Sequence, residues 1–193
     1  MTNVDTSQPS SLEQLIAALK ASATDGTASE KRLPPVELWN PTHCGDAGLE
    51  ILRDGTWLHE GTRMTRESLV RLFASILRKD ADGETYLVTP VEKIRVRVED
   101  APFLAVRADR CGRGREQSIV FTTNVGDVVV AGPERPIRVD YSGGEPRPYV
   151  LVRGGLEARI LRAPFYEMIE WSETRGAMLG LWSSGQWWEL GAL

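Results

Sequence analysis

A handful of residues carry types and spacings that could hold a small anion or a planar ring. Lys93, Arg95 and Arg97 alternate with Ile94, Val96 and Val98, so a strand here puts three cations on one face within ~13 Å. Such a row can hold phosphates. Glu92, Glu99 and Asp100 lie close enough in sequence to neutralise it, as on an ordinary solvated sheet face. Arg147, Tyr149 and Arg153 share a face of a second strand, with Val150 and Val152 turned the other way. Arg–aromatic–Arg surfaces suit a planar, phosphorylated ligand through stacking and bidentate contacts. Trp39, in Trp39-Asn40-Pro41, is a second stacking candidate. Cys44 and Asp46, in His43-Cys44-Gly45-Asp46, complete the set as polar groups beside that tryptophan.

The same cluster admits an enzyme, a hydrolase-type reading with Cys44 as nucleophile and Asp46 beside it. Neighbouring residues such as His43 and Cys44 rarely point the same way, and Cys–His dyads are usually assembled from distant segments. No catalytic residue is therefore assigned. Zinc held by Cys44, Cys111, His43 and His59 has the right inventory but lacks paired ligand spacing, so no metal is expected. There is no GxGxxG after a strand, no Walker A, no HExxH and no GxSxG, and no cofactor is expected.

The elements that must position these residues are short. Leu12, Leu15, Ile16 and Leu19 recur at helical spacing, and Ala21 to Lys31 reads as a linker. Leu49 to Arg53 reads as a strand, Asp54-Gly55 as a type I′ hairpin turn, and Thr56 to Glu60 as its return. A helix follows, capped by Thr65, with Leu69, Leu72, Phe73, Ile76 and Leu77 as its apolar stripe. From Glu84 the pattern turns to period two, giving strands 84–89, 93–99, 103–109, 117–123, 127–131, 136–141, 147–153 and 156–161. A helix is expected from Pro164 to Ser172, and a closing hairpin turns at Ser183-Ser184-Gly185. Trp187 and Trp188 are adjacent, so they face opposite sides and only one can enter a given core.

Two internal echoes suggest duplication. Ile94 to Phe103 resembles Leu156 to Phe165 at an offset of 62, and a Gly-x5-Gly frame recurs at Gly55–Gly61, Gly126–Gly132 and Gly185–Gly191. The first two frames lie 71 apart, so one clean duplication does not produce both echoes.

Composition limits the classes. The chain has 193 residues with 26% charged and 41% hydrophobic, which fits a folded protein and excludes disorder throughout. A net charge of −4 and a pI of about 5.3 argue against a nucleic-acid polymer bound through bulk charge. No apolar run is long enough for a membrane span. Two distant cysteines and a polar Met1 to Ser10 point to the cytoplasm.

Several motifs together resemble a bacterial family of unknown function. They are Trp39-Asn40-Pro41, Cys44-Gly45-Asp46, Asp54-Gly55-Thr56-Trp57, Val88-Thr89-Pro90-Val91-Glu92-Lys93, Glu99-Asp100-Ala101-Pro102-Phe103, Thr123-Asn124-Val125-Gly126-Asp127 and the stretch Arg147 to Ala158. The resemblance runs from about Pro34 to Gly191. It implies an α+β fold of two small β-rich domains related by duplication, the C-terminal one similar to pleckstrin-homology folds, with a strongly bent sheet or barrel and a helix. It also implies a nucleotide-like ligand at the domain interface, a role in signal transduction, and no catalytic activity. Together with the residue pattern, this gives an arm over 1–33, an N-terminal domain over 34–99 and a C-terminal domain over 100–193. The expected function is non-enzymatic binding of a small anionic or nucleotide-like ligand. A hydrolase and a protein-interaction module are the alternatives.

Overall fold

The structure is a computed structural model that describes residues 33–192. The expected helix over 12–19 and linker over 21–31 lie outside the described residues.

The chain is mostly strand, arranged in two sheet-rich halves with two short α-helices among the described residues, an α+β protein in which one sheet curls into a half-barrel. In the first half, β1 (His43–Ile51), β2 (Trp57–His59) and β3 (Thr62–Arg63) form a meander. Helix α1 (Glu67–Ser75) leads to a second meander of β4 (Leu77–Lys79), β5 (Thr85–Val88) and β6 (Glu92–Val98). The second half repeats the plan with β7 (Phe103–Cys111), β8 (Ser118–Thr123) and β9 (Val128–Val130), then β10 (Ile137–Asp140), β11 (Arg147–Arg153) and β12 (Leu156–Ile160). Helix α2 (Arg162–Glu170) follows. A separate three-stranded sheet of β13 (Glu173–Arg175), β14 (Met178–Ser183) and β15 (Gln186–Ala192) ends the described chain.

The first sheet runs β3-β2-β1-β6-β5-β4, and the second, read from the opposite edge, runs β9-β8-β7-β12-β11-β10. The order is the same: two three-stranded meanders joined through the first strand of one and the last strand of the other. The repeat decides between the echoes. At an offset of 62, β6 aligns with β12, which hold equivalent places, although Pro102-Phe103 leads into β7 whereas Pro164-Phe165 lies in α2. An offset of 71 sets β2 against β9, which hold different places.

Period two locates the strands because each buries one face. In β6, Ile94 and Val96 are buried while Arg95 and Arg97 are exposed. Burying those two aliphatic side chains contributes roughly 1.5–3 kcal/mol each. Elsewhere the structure departs from the pattern. Strand β1 begins at His43, well before Leu49, because its first residues are exposed and leave no apolar alternation. Helix α1 has Arg66 at its N-cap with no side-chain bond, so Thr65 does not cap it. It ends at Ser75, so Leu77 belongs to β4, where it is buried opposite Leu87. At Asp54-Gly55 only Gly55 has positive φ, so the turn is not type I′. The Asp54 carboxylate instead accepts the Thr56 amide at 2.9 Å.

Two compact units result. The described part of Met1–Glu50 joins Leu58–Arg97, and Ile51–Trp57 joins Val98–Leu193. The hairpin turn after β1 thus belongs to the second unit.

Candidate functional site

In the first unit, β6 lies between β1 and β5. Its cations meet carboxylates at the β4–β5 turn and on β1. Lys93 Nζ donates to Asp80 at 2.8 Å and stands 4.2 Å from the centre of the Tyr86 ring. Arg95 Nε donates to Glu84 at 2.8 Å, and the exposed Arg97 lies 3.4 Å from Glu50. Cys44 lies near Lys93 and Tyr86, and Asp46 lies near Arg95. The Asp46 carboxylate also accepts the Gly48 amide at 2.8 Å. Both Cys44 and Cys111 are exposed and free.

Sequence reasoning passed over Arg78, which organises this face. It is buried on β4, and its guanidinium donates to the Asp80 carboxylate at 2.6 Å. A second nitrogen donates to the carbonyls of Val36 at 2.8 Å and Trp39 at 2.6 Å, tying the chain before β1 to β4. The half-buried Trp39 therefore enters the network through its carbonyl. The Arg78 hydrogen bond holds the Asp80 carboxyl below its usual range, and the bond that Lys93 donates to Asp80 raises the Lys93 ammonium.

In the second unit, Tyr149 sits between Arg138 on β10 and Arg159 on β12. The expectation that it stacks a ligand needs correction, because its side chain is only 3% exposed. Its hydroxyl donates to Asp100 at 2.7 Å, and the Arg138 guanidinium stands over its ring at 4.1 Å. Arg159 reaches the other Asp100 oxygen at 3.3 Å. Burial, and then the bond to Asp100, push the Tyr149 hydroxyl up to about 12, so it stays protonated. Arg147 donates to Asp140 at 2.9 Å and to Ser142 at 2.8 Å. Arg153 donates to Asp127 at 2.6 Å and lies 4.9 Å from the Phe103 ring. Every cation singled out in the sequence thus has a carboxylate partner.

A different group has none among the described residues: Arg110, Arg115 and Arg175 stand over tryptophans instead. Arg110 lies 5.5 Å from the Trp171 ring and Arg115 lies 5.0 Å from Trp182. Arg175 stands 4.6 Å from Trp182 and 4.8 Å from Trp187. The two indoles meet edge to face at 5.6 Å. Three features hold this surface. Gly180 leaves room for the Trp187 ring, since a Cβ there would come within 2.5 Å of it. Ser184 and Gly185 both have positive φ, as a two-residue type I′ turn requires, so β14 and β15 close as expected. The tip of that hairpin is fixed to the second sheet. Ser183 Oγ donates to the Ala131 carbonyl at 2.7 Å and accepts the Ile119 amide at 2.9 Å, and Gln117 donates to the Trp182 carbonyl at 2.9 Å. Trp188 faces the other way, as adjacency dictates.

Among the described residues no group of three His, Cys, Asp or Glu could hold a metal ion. No described helix is long and apolar enough to cross a membrane.

Two sheets of one strand order, each with its own polar network, define a two-domain α+β protein. Residues 34–101 match the N-terminal domain described as "Domain of unknown function (DUF1285)", and residues 102–190 match the C-terminal domain of the same family. The division falls between β6 and β7, leaving one six-stranded sheet on each side. The chain is similar to a DUF1285 family protein from Silicibacter pomeroyi DSS-3 of known crystal structure. That likeness has 48% identity and a TM-score of 0.80 over 91% of this chain and 95% of that one. A DUF1285 family protein from Shewanella baltica OS155 is similar over 64% of this chain and 91% of its own, at 29% identity and a TM-score of 0.51. No curated protein matches. The chain belongs to the DUF1285 family.

Proposed function

We propose that this protein is a non-enzymatic binding module for a small, planar, anionic ligand of nucleotide type, with a signalling rather than a chemical output. The contact surface is Arg115 and Arg175 with Trp182 and Trp187. The observation that carries the reading is the distribution of charge. The strand-face cations each lie beside an acidic partner, so a phosphate binding there must displace a carboxylate. Arg115 and Arg175 lack such a partner among the described residues and already lie over aromatic faces. An incoming phosphate then gains charge-assisted hydrogen bonds without breaking an ion pair, and a ring gains a stacking face.

Titration of nucleoside monophosphates against tryptophan emission tests this. Binding should change the emission, and Arg175→Gln should weaken it by about tenfold, as loss of a charge-assisted bond requires. Unchanged emission with every nucleotide tried would sink the proposal.

A further inference from the structure

A groove of about 540 Å³ opens beside Trp187, between β10 and the last hairpin. Its size falls in the usual range for small-ligand sites, roughly 300–1,000 Å³. Ile137, Val139 and Met178 supply apolar wall, Trp187 supplies an aromatic face, and Gln186 and Glu189 supply polar groups. Tyr141 also lines it, but its hydroxyl already donates to the Leu190 carbonyl. Among the described residues, Glu189 is the only charged one lining the groove. It lies two positions from Trp187 on the same face of β15, and neither its side chain nor that of Gln186 has a hydrogen-bond or ion-pair partner among the described residues.

This arrangement separates the two ends of a ligand. A phosphate is repelled from the groove by Glu189 and drawn to Arg175 on the neighbouring aromatic surface. The part that enters must be flat and must bring hydrogen-bond donors, because an ionised carboxylate only accepts. Its two oxygens match two parallel N–H groups, the geometry that pairs carboxylates with arginine forks. Among planar heterocycles, a 2-amino-4-oxo ring shows such a pair at adjacent positions, the ring N–H and the amino N–H. The pairing edge of adenine instead shows one donor beside one acceptor, and the acceptor would oppose the carboxylate.

We infer that the groove takes a 2-amino-4-oxo heteroaromatic ring of guanine or pterin type. Glu189 accepts the paired N–H groups, Trp187 stacks the ring, and Arg175 meets the anionic end of the ligand. The inference rests on the binding reading given above and specifies its ligand.

The test measures binding of guanosine 5′-monophosphate, adenosine 5′-monophosphate and pterin-6-carboxylate by tryptophan emission and calorimetry. Glu189 is exposed, so Glu189→Gln can be made without disturbing a core. Guanosine or pterin ligand should bind about tenfold or more tightly than the adenosine ligand, and Glu189→Gln should remove most of that preference while sparing adenosine. The tighter of the two identifies which ring the site prefers. Equal affinity for guanosine and adenosine ligands, insensitive to Glu189→Gln but weakened by Arg175→Gln, would overturn this inference and leave the binding surface standing. No binding by any of the three would remove both.

Discussion

The two six-stranded sheets share a strand order and differ in what is added to them. The first carries a polar network centred on Asp80, tied by Arg78 to the chain before β1. The second carries one centred on Asp100, reached by Tyr149 and Arg159. In both, a carboxylate holds strands or segments together. The second half alone continues into a further sheet, and the arginines beside its tryptophans, Arg115 before β8 and Arg175 on β13, face indoles rather than carboxylates. The strand-face cations singled out in the repeated frame are spent on its own carboxylates, and the arginines beside the last hairpin are left available.

That contrast can be broken most forcefully at Arg78. Arg78→Met removes a nearly buried partner from Asp80 and leaves two carbonyls without their donor. It should cost about 3 kcal/mol in denaturant unfolding, as breaking buried pairs does. A loss near zero would show that Lys93 alone satisfies Asp80. The corresponding change in the second sheet is milder, because Tyr149→Phe keeps the ring and loses one buried hydrogen bond. About 2 kcal/mol is expected by the same measurement.

Asp80 and Tyr149, at the centres of the two networks, should lose their contributions at opposite ends of the pH scale. The Asp80 pKa is lowered from 3.8, so its stabilisation is complete above that value and is lost as pH falls through the lowered pKa. The Tyr149 pKa is raised from 10.0 to about 12, so its contribution is complete below pH 10.0 and is lost as pH rises through about 12. Melting curves of Tyr149→Phe should therefore lose the Tyr149 share of the alkaline sensitivity and keep the acid sensitivity. The reverse result would mean that the networks are wrongly assigned.

Smaller effects belong to exposed pairs. Arg97→Gln removes a contact with Glu50 from a side chain that is 77% exposed, and stability should change by less than about 1 kcal/mol. Arg175→Gln should likewise cost about 1 kcal/mol or less, yet shift tryptophan emission because the guanidinium lies over two indoles. An Arg175 effect as large as that of Arg78 would make the aromatic surface part of the frame.

Much of the frame was legible from alternation. The reading of 147–153 as a strand matches β11, and the closing hairpin turns where Ser184 and Gly185 demand it. Alternation failed where burial is one-sided in another way. Leu77 fits the helical stripe of α1 as well as it fits β4, and spacing cannot separate the two. The faces of Lys93, Arg95 and Arg97 were legible, but their partners Asp80 and Glu84 come from the β4–β5 turn and Glu50 from β1, so their neutralisation was not. Arg115 and Trp182 lie 67 positions apart and meet only through the docking of β14 near the turn before β8. No local pattern announces such a contact. The surplus of tryptophan near the end of the chain was the available signal, since Trp187 lies on β15.

One hydroxyl gives the aromatic surface a clock. Ser183 occupies a place between β8 and β9, taking the Ile119 amide and giving its own proton to the Ala131 carbonyl. The Ile119 amide is therefore shielded by the hairpin tip rather than by a strand carbonyl. Its hydrogen–deuterium exchange should report each lifting of that tip, one amide timing the opening of the surface that carries Trp182 and Trp187.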